Sequence, residues 1–194
     1  MTPPRLFGGV LVGGESRRMG RPKQLIDLGG ATMVEHVVRA LEREVDEVFL
    51  LGDGPVTTSL AGYSRVADAG DCRGPMAGVL GAMRAEPDAC WVMTACDLPR
   101  LRTGAVQWLV SMRRAGVWVV FPSIDGFAEP LLALYEPPAR LLLERAAAAG
   151  DYSLHRFARN PRAILAEPPA AFTDCWSNAN TLRELDRLLV RGSS

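Results

Sequence analysis

Gly13-Gly14-Glu15-Ser16-Arg17-Arg18-Met19-Gly20-Arg21-Pro22-Lys23 sets a pair of glycines ahead of four cationic side chains within seven residues. Glycines let backbone amides come close to an anion and the cations neutralise it; a nucleoside triphosphate needs both. The run is not a Walker A loop, because no Gly-Lys-Ser/Thr ends it, and it is not a G-x-G-x-x-G dinucleotide fingerprint. An ordinary strand-to-helix connection with solvated arginines would share this composition. Eleven residues, however, exceed the usual length of such a connection, and long loops in compact domains tend to carry function.

Carboxylates supply the second half of the chemistry. Magnesium prefers oxygen ligands and takes one or two carboxylates, leaving positions for water and substrate phosphates. Asp97, at the end of the apolar run Cys90 to Ala95, suits that role. It could equally cap the helix that follows, a reading that Pro99 and the preceding strand weaken. Asp68 and Asp71 stand in a glycine-rich turn, where aspartates usually serve the turn itself; of the two, Asp68 ranks first as a site residue. Asn178 and Asn180 form an Asn-x-Asn pair near the C-terminus and are open to the same turn-forming reading. Cysteines 72, 90, 96 and 175 make no C-x-x-C pair and His36 and His155 lie far apart, so neither zinc nor a disulfide framework is expected.

These residues need elements to hold them. Leu6 to Val12 reads as a buried strand running into the loop. Met33, Val34, Val37, Val38 and Leu41 recur at helical spacing behind Thr32, with Glu35 completing a capping-box pattern. Glu47 to Leu51, the weaker Ser64 to Ala67, and Cys90 to Ala95 read as strands; Met76 to Arg84 and Gly104 to Ala115 as helices; Trp118 to Phe121 and Pro130 to Leu134 as further strands. The last third reads as helices about Pro138 to Ala149, Ser153 to Arg159 and Leu182 to Leu189, with a short Ile164-Leu165 strand. Alternating strands and helices predict an α/β, Rossmann-like single domain over residues 1–194, a mostly parallel sheet flanked by helices on both faces. Ligands in such sheets sit beyond the carboxyl ends of the strands, which is where residues 13–23, 68–74 and Asp97 fall.

Composition narrows the partners. With 22 Lys+Arg against 22 Asp+Glu the formal net charge is zero, so no overall field points to nucleic acid or an anionic membrane, and any anion site must be local. No apolar run approaches bilayer-spanning length and the first residues do not read as a signal peptide; a cytoplasmic protein is expected.

Taken in order, Leu11-Val12-Gly13-Gly14, Arg18-Met19-Gly20, Lys23, Gly74-Pro75-Met76-Ala77-Gly78, Cys96-Asp97-Leu98-Pro99 and Asn178-Ala179-Asn180-Thr181 resemble the molybdenum cofactor guanylyltransferases, the MobA proteins, over nearly the whole chain. The resemblance implies the nucleotide-diphospho-sugar transferase type of fold and Mg²⁺-dependent transfer of GMP from GTP to molybdopterin, giving the guanine dinucleotide cofactor and pyrophosphate. It further implies nucleotide contacts from Leu11, Val12, Gly13, Gly14, Asp68 and Gly78, phosphate stabilisation by Arg18 and Lys23, the metal on Asp97, and Asn178 and Asn180 near the pterin acceptor. The N-terminal two-thirds would then bind nucleotide and the C-terminal third the acceptor, with transient contacts to other cofactor-biosynthesis proteins or molybdoenzyme chaperones. One departure stands out. Arg21-Pro22-Lys23 replaces the family's common aspartate before the lysine and looks more like the cytidylyltransferases of the same cofactor. A cytidylyltransferase, a sugar-1-phosphate nucleotidyltransferase and a non-catalytic nucleotide-binding partner of molybdoenzymes are therefore the competing readings.

Overall fold

The computed structural model describes residues 4–13 and 22–190. Its centre is a sheet built from β1 (Leu6–Leu11), β2 (Glu47–Leu51), β3 (Ser64–Val66), β4 (Cys90–Ala95), β5 (Val119–Ile124), β6 (Phe127–Ala128), β7 (Ala133–Tyr135) and β8 (Ala163–Ala166). The order is β3-β2-β1-β4-β7-β5-β6, with β8 pairing β5. β3, β2, β1 and β4 run parallel, β7 is inserted antiparallel between β4 and β5, and β8 runs parallel to β5. The sheet is thus mostly parallel, as the alternation of elements predicts.

The period of two along the strands sorts side chains onto two faces. Leu6, Val10, Cys90, Val92 and Leu134 face a core made with α1 (Met33–Leu41) and α3 (Thr103–Ser111). Phe7, Trp91, Met93 and Tyr135 face the other, made with α2 (Pro75–Ala85) and α4 (Ala139–Ala148). On that second face Phe7, Phe49 and Trp91 pack as a triad with ring centroids 5.1 to 5.3 Å apart, the tilted geometry aromatic rings prefer. A small third cluster joins Ile26, Met33, Ala179 and Leu185, folding α5 (Leu182–Val190) back over the start of α1.

Local chemistry explains the elements nearest the strand ends. Thr32 donates its backbone N–H to Glu35 at 2.7 Å, the return half of a capping box at the start of α1. α2 opens with Pro75 after Gly74, whose φ of 65° suits glycine. Its small residues let the β3–α2 connection lie close against it: Ala69 N–H bonds Ala77 carbonyl at 2.9 Å, and a Cβ on Gly81 would stand 2.3 Å from the Ala67 oxygen. A larger residue at 81 would push Asp68 out of place. Residues 154–159, expected as a helix, form a 3-10 helix. Among the described residues no helix is long and apolar enough to cross a membrane.

Candidate active site

The four parallel strands end on one rim, and a cleft of about 470 Å³ opens there. Leu11 of β1 and Gly13 beyond it, Leu51 of β2, Asp68 after β3, and Ala95 of β4 with Asp97 after it line the cleft, closed by Lys23, Gly74, Pro75, Leu131 and Asn178. Residues up to 167 positions apart in the chain are brought together by strand order alone, which is the geometry expected for an α/β ligand site.

Asp97 is buried, 4% exposed, in the turn that follows β4. It does not cap α3, which starts at Thr103. Its Oδ2 receives the Lys23 ammonium at 2.5 Å, whereas Oδ1 is buried with no hydrogen-bond partner among the described residues. A buried acceptor oxygen left open is costly unless something else fills its coordination, and a hard divalent cation is a chemical fit. No group of three or more His, Cys, Asp or Glu side chains forms a metal cage among the described residues; an ion that keeps waters and substrate phosphates does not require one.

Asp68 lines the same cleft. Its carboxylate lies near Gly13, Gly52 and Gly78: a Cβ at those positions would be 3.9, 3.4 and 3.4 Å from its oxygens. Burial and the neighbouring Asp53 push its carboxyl above the usual value, so a cation or hydrogen-bond donor arriving in the cleft would be favoured beside it. Asp71 is turned to structure instead. It accepts two hydrogen bonds from Arg84 at 2.7 and 2.9 Å, and Arg84 also reaches Glu144 at 2.7 Å, tying α2 to α4.

The remaining predicted residues divide. Val12 is fully buried; its N–H bonds Leu51 carbonyl and its carbonyl accepts from Gln24, so it shapes the rim from behind. Gly78 sits on the α2 face that touches Leu11 and Asp68. Between the two asparagines, Ala179 is buried and donates its N–H to the Asp97 carbonyl at 3.0 Å, which presents Asn178 to the cleft. Asn180 lines neither this cleft nor its neighbour, and its N–H donates to Glu184 at the start of α5. Gly14 and Arg18 lie outside the described residues. Cys96 is next to Asp97, but burial pushes its thiol up to about 12 and keeps it protonated and inert.

A second chamber of about 300 Å³ adjoins the cleft and shares Pro75, Leu131 and Asn178 with it. Leu98, Tyr152, Leu154 and Trp176 make it largely apolar, and Glu129 and His155 are its ionisable side chains. None of these side chains is among the site residues expected from sequence, although Leu98 belongs to the Cys96-Asp97-Leu98-Pro99 motif. Two bonds fix the wall: Trp176 Nε1 donates to the Leu132 carbonyl at 3.1 Å, and Tyr135 hydroxyl to the Pro130 carbonyl at 2.7 Å. Leu132 is buried with φ of 55°, a left-handed conformation that costs a leucine about 1 kcal/mol. A larger surface hollow of about 560 Å³, lined by Arg113, Trp118 and Glu136, lies at the opposite rim, where β5 begins. The 2.7 Å Arg113–Glu136 ion pair in it serves the fold.

Glycines, a lysine and carboxylates at the ends of parallel strands define a nucleotide-binding α/β enzyme. Residues 8–166 match the family model described as the MobA-like NTP transferase domain; the chain belongs to this family of nucleotidyltransferases. It is 36% identical to a protein of Opitutus terrae named "Probable molybdenum cofactor guanylyltransferase" over 78% of this chain and 77% of that one. It is 34% identical to a "Molybdenum cofactor biosynthesis bifunctional protein" of Synechocystis over 73% of this chain, and the match spans 42% of the length of that relative. The crystal structure of molybdopterin-guanine dinucleotide biosynthesis protein A from Archaeoglobus fulgidus has the same fold, with a TM-score of 0.79 at 24% identity over 96% of this chain and 98% of that one.

Proposed function

We propose that the protein transfers GMP from GTP to molybdopterin, forming molybdopterin guanine dinucleotide and pyrophosphate. The observation that carries this reading is the pair of adjoining chambers, one charged and glycine-lined, the other apolar, meeting at Pro75, Leu131 and Asn178. Relatives named for guanylyl transfer support the choice of nucleotide.

In this mechanism a terminal phosphate oxygen of molybdopterin attacks the α-phosphorus of GTP in line. The bond from that phosphorus to the bridging oxygen breaks, and pyrophosphate leaves with the electron pair. Little covalent chemistry falls to the protein, since the attacking phosphate is already ionised at neutral pH and needs no general base; positioning and charge neutralisation do the rest. Leu11, Val12, Gly13, Gly14 and Gly78 form the nucleotide side, Asp68 stands beside it, and Arg18 and Lys23 stabilise the leaving phosphates. Asp97, with its open Oδ1, would hold Mg²⁺, which supplies Lewis-acid neutralisation of phosphate charge when bound. Lys23 must then exchange its contact with Asp97 for one with phosphate, and the short ion pair keeps the ammonium beside the place where the triphosphate arrives. Asn178 stands at the junction with the acceptor chamber, and Asn180, whose N–H is held by Glu184 of α5, follows it.

On this reading residues 1–194 act as a single domain, the N-terminal two-thirds binding nucleotide and the C-terminal third the acceptor. The protein works in the cytoplasm and hands its product on through transient contacts with cofactor-biosynthesis proteins or molybdoenzyme chaperones. The test is pyrophosphate release with GTP, CTP, ATP or UTP, each offered with molybdopterin or with a sugar 1-phosphate. GTP with molybdopterin should be the productive pair. Preference for CTP would assign a cytidylyltransferase, turnover with a sugar phosphate would assign the third reading, and silence in every pairing would leave a non-catalytic binder.

A further inference from the structure

From the residues of the second chamber we infer that Glu129 is the specificity-determining residue for the acceptor: it reads the amino-pyrimidinone edge of a pterin ring. This rests on the functional reading above and adds to it the group that selects the acceptor.

Glu129 follows β6, and its backbone N–H is committed to the Pro122 carbonyl at 2.8 Å, so the backbone is fixed to β5 while the residue lines the chamber. Among the described residues no donor hydrogen-bonds to its carboxylate. The nearby ionisable side chain is His155, whose Nδ1 is held by the Ala128 carbonyl at 3.0 Å. Partial burial among Leu98, Pro130, Leu131 and Trp176 pushes the Glu129 carboxyl above its ordinary value, with His155 offsetting part of that. A half-buried carboxylate to which no described side chain donates keeps its oxygens available to a ligand that brings donors.

The chamber also states the shape of that ligand. It is lined by Tyr152, Trp176, Leu98, Leu131 and Leu154, an apolar and partly aromatic lining suited to a flat heterocycle. Arg73 lies over the Tyr152 ring at 5.1 Å and stiffens that wall. A pterin carries an exocyclic amine beside a ring N–H, two parallel donors on one edge, and an ionised carboxylate accepts two such bonds side by side. A site built this way should reject an isosteric ring whose amine is replaced by a carbonyl, because one carboxylate oxygen would keep the ring N–H while the other would face an acceptor.

The experiment compares 6-hydroxymethylpterin with 6-hydroxymethyllumazine, which has a carbonyl in place of the amine, by calorimetric titration of the full chain, wild type and Glu129→Gln. Wild type should bind the pterin at least tenfold more tightly than the lumazine. Glu129→Gln, which can donate to the carbonyl, should narrow that ratio below threefold while the GTP affinity measured in Mg²⁺ stays within twofold. A local packing role would weaken both rings alike and leave the ratio unchanged. Equal binding of the two rings by wild type, no detectable pterin binding, or a tenfold preference retained in Glu129→Gln would each overturn the inference. Wild-type GMP transfer to molybdopterin, assayed in parallel, keeps the two failures apart: transfer without pterin preference removes Glu129 alone, and absence of transfer removes the functional reading.

Discussion

From β3 to β4 the sheet is parallel, and its strands end together on glycines, Lys23 and two aspartates; from β7 to β6 it turns antiparallel and ends on aromatic and aliphatic side chains around Glu129. On the proposed function the difference follows from what each half would bind. A polyphosphate carries its charge everywhere and is best met by backbone amides, cations and a metal on short, rigid turns. A heterocyclic acceptor carries two flat faces and one polar edge, which ask for stacked side chains and a single carboxylate. Parallel strands bring four chain ends to one rim, and the antiparallel insertion of β7 lets Leu131 and Leu132 reach that rim from the opposite direction.

Substitutions can break this division in order of severity. Asp97→Asn keeps the shape of the β4 turn but removes the charge, and turnover should fall on the order of a thousandfold while pterin binding is unchanged and the circular dichroism spectrum stays native. A near-normal rate in Mg²⁺ would remove Asp97 from the metal site. Lys23→Ala should weaken GTP binding by roughly 10- to 100-fold, the range of a lost charge-assisted hydrogen bond, and leave guanosine binding almost untouched; equal losses for nucleotide and nucleoside would show that Lys23 only supports Asp97. Trp176→Phe removes the bond to the Leu132 carbonyl and should raise the KM for molybdopterin several-fold, about 1 kcal/mol, with the KM for GTP unchanged. A matched rise in both would mean that the chambers are one site.

The smallest expected effect concerns stability and sharpens the comparison from the nucleotide side. Glu35 joins the start of α1 to the loop after β2, accepting from Ser59, from the Thr32 backbone and from Thr57, and these bonds hold its carboxyl down at about 2. The folded value lies below the ordinary 4.5, so its contribution is fully present above about pH 4.5 and is lost as pH falls through about 2. Glu35→Gln should lower the neutral-pH stability by about 1 kcal/mol, the usual worth of a cap, and flatten the acid limb of a Tm-against-pH curve. An unchanged acid limb would assign the acid sensitivity to other carboxylates.

The parallel half was the more legible in sequence, for a physical reason. β2 and β4 occupy Glu47–Leu51 and Cys90–Ala95, the bounds expected of them, because each is an apolar run stopped by glycine or aspartate, and strands buried on both faces read that way. Lys23 and Asp97 were separately visible as cation and carboxylate, yet their 2.5 Å contact spans 74 positions and belongs to strand order, which local pattern does not encode. The antiparallel half was less legible. Asp125-Gly126, with φ of 51° and 82°, is a two-residue hairpin turn of the kind that favours Asp-Gly, and that dipeptide was the available signal for β5–β6. The strand expected from Pro130 to Leu134 occupies Ala133–Tyr135 because Pro130 lacks an N–H and Leu132 turns left-handed. Glu129 lies between the Asp125-Gly126 turn and Pro130, where neither a helical nor a strand period marks it.

The division of labour is tested most directly by calorimetric titration of GTP into the wild-type chain and into Asp97→Asn, each in Mg²⁺ and in chelator. Wild type should bind at least tenfold more tightly with the metal than without it, and the variant should show no such difference. An absence of heat from wild type with every common ribonucleotide in Mg²⁺, or an equal metal dependence in the variant, would contradict it.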